Sequence, residues 1–96
     1  MKMAMNEEAA QILALEALTW LVGNDELVGV FLGATGAAVE DLKTQAGDAA
    51  FQVSVLEFLT MDDAWVMEFC DTKGHAYEAP LMARHVLAGE AGRHWT

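Results

Sequence analysis

Residues 27–59 read LVGVFLGATGAAVEDLKTQAGDAAFQVSVLEFL. Two strongly apolar segments flank a shorter, more polar one, and a glycine punctuates each junction. Leu27, Val28, Phe31 and Leu32 recur at the spacing of one helix face, and Phe51, Val55, Phe58 and Leu59 repeat the pattern, with Leu56 widening the stripe. Thr35-Gly36 reads as a helix stop, because glycine takes the left-handed conformation that closes a last turn. Ala46-Gly47 reads as a second stop, and Asp48 follows as an N-cap whose carboxylate accepts from the free amides of the next helix. The middle segment, Ala38 to Ala46, is too short to be a stable helix alone. Val39 and Leu42 are expected to hold it against its neighbours.

Upstream, a first helix is expected from about Glu7 to Val22, capped by Asn6 and started by two glutamates where the helix dipole favours them. Leu13, Ala17, Trp20 and Leu21 line one face, and Ile12, Leu15, Leu18 and Val22 widen it. A helix this apolar is expected to be contacted on more than one side. Gly23 stops it, and Asn24-Asp25-Glu26 starts a second helix running to about Ala34. Downstream, the fourth helix spans Asp48 to Thr60. Met61-Asp62-Asp63 breaks the chain and caps a fifth helix carrying Trp65, Val66, Phe69 and Cys70, which Gly74 ends; one long bent helix is the alternative. A sixth begins near Glu78 with Pro80 in its first turn, where the missing N–H costs nothing. Leu81, Met82, Val86 and Leu87 follow and Gly89 closes it, leaving residues 90–96 as a tail, as residues 1–6 are a flexible N-terminus.

The chain of 96 residues makes a single domain, long enough to bury one core. Its 54% apolar content is high, and no run of alternating β-branched residues appears. The expected fold is all-α, a compact bundle or orthogonal array of five to six short helices. A net charge of −10 opposes binding to nucleic acid or to an anionic membrane surface, where Lys and Arg must neutralise phosphates. Glu7, Glu8 and Glu16 interrupt the apolar N-terminal run, so it reads as neither a signal peptide nor a membrane span. Cys70 is the only cysteine, which fits a reducing cytoplasm.

No catalytic constellation stands out. Cys70, His75, His85 and His94 do not match a zinc spacing, and a buried cysteine with surface histidines is the simpler reading. The acidic run Asp62, Asp63, Glu68 and Asp71 lacks the alternation and glycine of a calcium loop, and Asp62 as an N-cap explains it better. Glu68 and Asp71 would oppose a reactive thiolate at Cys70. Phe31 to Leu42 superficially suggests a helix-turn-helix, but its second helix would bring Glu40 and Asp41 towards phosphate. Trp95 differs from Trp20 and Trp65, which sit in helical stripes. With Arg93 and His94 it lies in the tail, where an aromatic docks onto its own domain, is disordered, or meets a partner.

Leu18-Thr19-Trp20-Leu21, Phe31-Leu32 with Thr35-Gly36, Asp41-Leu42, Ala46-Gly47-Asp48 with Phe51, Val55-Leu56 with Phe58-Leu59, Phe69-Cys70, Ala83-Arg84 and the ending His94-Trp95-Thr96 resemble the small bacterial domain-of-unknown-function family numbered 3572. The resemblance covers about Glu7 to Thr96. Ala38 and Ala88 stand where the family is associated with proline, which loosens two helix boundaries. The resemblance implies a helical bacterial protein without assigned activity and carries over no catalytic residue. The expected role is an interaction or adaptor module of the cytoplasm without cofactor, with Arg93, His94, Trp95 and Met82 as candidate partner contacts. The alternatives are a homodimer using surplus apolar surface on helix one or helix six, through Leu81, Met82 and Val86, and a small enzyme using an inter-helical cleft with Asp62 or Glu68.

Overall fold

The computed structural model describes residues 5–92, with side chains described as far as residue 89. It is all-α, and six helices follow in order: α1 (Glu7–Val22), α2 (Asp25–Thr35), α3 (Asp41–Thr44), α4 (Ala49–Leu59), α5 (Asp63–Lys73) and α6 (Ala79–Gly92). Four starts are set by a short polar side chain accepting from the first turn. Asn6 accepts from the Ala9 amide at 2.7 Å, Asn24 from Leu27 at 3.1 Å, Asp48 from Phe51 at 2.9 Å and Asp62 from Ala64 at 2.8 Å. Two ends, at Gly36 (φ 76°) and Gly74 (φ 78°), need the left-handed backbone that only glycine adopts without strain. Thr60 and Asp62 separate α4 from α5, so the single bent helix does not form.

α1, α4 and α6 pack on one another, and these three make the centre of the domain. Small residues let the helices approach: Ala10, Ala14 and Ala17 on α1 and Ala79 and Ala83 on α6 are buried beside Leu13, Leu21, Leu56, Leu59 and Leu87. α2 joins through Phe31, its one buried residue, whose ring meets Phe51 and Phe58 edge-on at centroid distances of 5.9 and 5.4 Å. Phe58 stacks on Trp65 at 4.9 Å, tying α5 to α4. Phe69 of α5 meets Trp20 of α1 edge-on at 6.1 Å.

Three expectations change. α3 covers only Asp41–Thr44, because no side chain caps it and the Asp41 carboxylate reaches back to the Ala38 amide instead. Val39 is 67% exposed and holds nothing, leaving Leu42 and the bond from Gln52 Nε2 to the Ala46 carbonyl (2.7 Å) to anchor the segment. α6 does not end at Gly89 but continues to Gly92, so residues 90–92 are helix rather than tail. Gly89 is not left-handed, and packing on α1 and α4 outweighs the roughly 1 kcal/mol that a mid-helix glycine costs. Finally, α1 is covered on one broad side only. Ile12, Leu15 and Val22 are 52%, 41% and 45% exposed on the other. The domain is 18 Å thick, two helix layers, and no described residue covers that outer face.

Candidate functional site

A concavity lies where the end of α4, the start of α5 and the first turns of α6 converge. It holds about 190 Å³. Thr60, Asp63 and Val66 form one wall, and Tyr77, Glu78, Leu81 and Arg84 the other. Each is placed by a local rule. Thr60 is the C-cap of α4, and its hydroxyl donates back to the Leu56 carbonyl at 2.8 Å. Asp63 is in the first turn of α5, beside the positive helix end. Leu81 and Arg84 are one turn apart and share a face of α6.

Arg84 is half-buried, and its Nη1 donates to Thr60 Oγ1 at 3.1 Å. Among the described residues no carboxylate lies within 4.0 Å of it, so most of its five donors face the cleft or solvent. Asp63 and Glu78 are likewise outside ion-pair distance of any described cation. Tyr77 is half exposed and donates its phenol proton to Asp71 Oδ1 at 2.8 Å; that bond holds its pKa above the ordinary value. Tyr77, Leu81 and Val66 give the cleft apolar walls between opposite charges.

Of the expected contacts, Arg93, His94 and Trp95 lie outside the described residues. Met82 is half-buried and is not part of the cleft. Val86 packs against the core, so of the three α6 residues only Leu81 offers open surface. Asp62 is spent as the α5 cap, and Glu68 stands exposed away from the cleft. The enzyme reading asked for a pocket with convergent polar groups; one exists, built around Asp63, Glu78 and Arg84 instead. Sequence reasoning missed Thr60, Tyr77 and Arg84, which no spacing connects.

Cys70 is buried, with Sγ against the Ala76 carbonyl at 3.4 Å. Burial raises its pKa first, and the negative charges of Asp71 and Glu78 add to it. His75 is not a plain surface histidine. Its Nε2 lies 2.6 Å from Glu16 Oε1, and its ring stacks on Phe69 at 5.7 Å, tying the α5–α6 turn to α1. Among the described residues, no three His, Cys, Asp or Glu side chains converge as a metal site. No described helix is long and apolar enough to cross a membrane.

These features define a small six-helix domain with an amphipathic cleft at the α4–α5–α6 junction. The chain belongs to the family described as protein of unknown function (DUF3572), whose model matches residues 7–90. The His94-Trp95-Thr96 ending therefore lies outside the matched region. No curated protein and no solved structure matches the chain.

Proposed function

We propose that the chain is a small protein-interaction module of the cytoplasm and that the α4–α5–α6 cleft is its docking site. The observation that carries this reading is the cleft's mixed lining. Half-exposed Tyr77 and Leu81 stand beside three charged side chains that make no ion pair with one another. Interfaces combine an apolar anchor pocket with such directional polar groups, and aromatic residues and arginine are enriched in them. A photo-activated cross-linker at Leu81, with a second at Thr44 on exposed α3 as control, tests the proposal in intact cells. One discrete adduct specific to position 81 supports docking at the cleft. Identical ladders at both positions, or no adduct at 81, would refute it.

The second reading is an acid–base enzyme working at the same place. It is favoured by Asp63, Glu78 and Arg84 converging on a volume the size of a small metabolite. Its test is a screen of small carboxylates and amines for thermal stabilisation that Arg84→Gln abolishes.

A further inference from the structure

The cleft asks for an occupant with an apolar or aromatic anchor, a cation for Asp63 and Glu78, and an electron-rich face or acceptor for the Arg84 donors that no described carboxylate takes. This chain contains such a segment. Residues 90–95 read Glu-Ala-Gly-Arg-His-Trp. Glu90 can accept from Arg84, Arg93 can meet the two carboxylates, and the Trp95 indole fits between Tyr77 and Leu81 or over the Arg84 guanidinium. Charge points the same way. Asp63 and Glu78 line the cleft and Asp71 stands beside it on Tyr77, so this surface attracts the Arg93 guanidinium.

Arg93 cannot meet Glu78 of its own chain. Glu78 immediately precedes α6, and Gly92 lies thirteen residues beyond Ala79 on that helix, about 20 Å along its axis. Arg93 stands a single residue past Gly92, at most ~4 Å of backbone, and its side chain does not span the remainder.

Resting on the interaction reading of the same cleft, we propose that residues 90–95 of a second copy occupy it. The exchange is reciprocal, each copy placing Arg93 and Trp95 into the α4–α5–α6 cleft of the other, which closes a two-fold dimer.

Sedimentation equilibrium of the full chain from micromolar to sub-millimolar concentration, at low and high salt, tests this. The full chain should dimerise, more weakly at high salt. A chain ending at Gly92 and the Trp95→Ala variant should stay monomeric. Arg93→Glu and Glu78→Arg should each weaken dimerisation by at least about tenfold, the effect of placing like charges together at a contact. An equimolar mixture of those two variants should regain the wild-type dimer, because both exchanged contacts then pair opposite charges. Circular dichroism controls for folding. A full chain that stays monomeric, a dimer kept by the chain ending at Gly92, or a mixture no stronger than its components would overturn the proposal. The interaction role would then stand or fall on the Leu81 cross-linking alone, since a foreign partner there needs no Trp95.

Discussion

Phe31 is the residue on which the attachment of α2 turns, and Phe31→Ala measures it. Phe31 is fully buried and is the only buried residue of α2. Its loss removes roughly 150–200 Å² of aromatic surface from the core, worth about 4–5 kcal/mol at 25 cal/mol per Å². The edge-to-face contacts with Phe51 and Phe58 go with it. Phenylalanine-to-alanine changes in cores cost about 3–5 kcal/mol, and a chain of this length holds about 5–14 kcal/mol in total. The variant should fold, with Tm lowered by about 15–30 °C. α2 is only eleven residues long, its other core contacts are the partly buried Leu27 and Leu32, and a helix of that length does not persist undocked. Hydrogen exchange should therefore show the α2 amides opening well before those of α1, α4 and α6. Urea unfolding monitored by circular dichroism gives the global number. A loss below about 1.5 kcal/mol, or α2 amides protected as strongly as those of α1, would refute the reasoning.

The glycines separate into two groups. A Cβ at Gly29 or Gly33 would meet nothing within 4 Å, so each alanine variant should stabilise α2 by about 0.5–1 kcal/mol and raise Tm by a few degrees. Gly74 sits at φ 78°, so Gly74→Ala should cost about 1–2 kcal/mol although its space is equally open; thermal melts of the three decide this. Asp48→Ala removes the 2.9 Å cap of α4 and should cost about 1 kcal/mol, while Asp48→Ser should cost much less. Burial, with Asp71 and Glu78, keeps the proton on the Cys70 thiol at a pH where the unfolded chain has lost it. The folded state then binds more protons than the unfolded one, so this stability is fully present below about pH 8.5 and is lost as pH rises towards the folded pKa. Cys70→Ala should flatten that alkaline decline, and the native thiol should react with a disulfide reagent at pH 8 far more slowly than in denaturant.

What was legible in the sequence is what short-range chemistry fixes. Asn6, Asn24, Asp48 and Asp62 each cap the helix expected of them, and Gly36 and Gly74 take the left-handed turn that ends one. Where a boundary depends on packing, the local signal misleads. Gly89 has the same side chain as Gly74 but is carried through by the packing of α6 on α1 and α4. Val39 sits at a periodic position yet faces solvent, because α3 is a single turn held by Leu42 and Gln52. The cleft could not be read at all. Thr60 and Arg84 are 24 residues apart, and they meet because α6 crosses the end of α4. Neither carries a motif that would pair it with the other.

Exposed apolar area alone does not mark a binding surface here, because the fold produces some of it by geometry. In a domain two helices thick, a long helix with apolar residues on more than one face leaves one face open, and Ile12, Leu15 and Val22 follow from that constraint. Their stripe is convex, and acids stand at both ends: Glu7 and Glu8 precede it, Asp25 and Glu26 follow it. Two copies pairing antiparallel through α1 would bring those acids together, a repulsion that a chain of net charge −10 cannot relieve. The cleft differs in kind. It is concave, its apolar walls face each other, and Asp63, Glu78 and Arg84 supply charges of both signs that nothing described in the domain neutralises. Among the described residues Arg84 is held by Thr60 and neither Asp63 nor Glu78 meets a cation, whereas a bound segment can pair with all three at once. That asymmetry, rather than the amount of apolar surface, supports the cleft as the proposed docking site and leaves the outer face of α1 as a consequence of the fold.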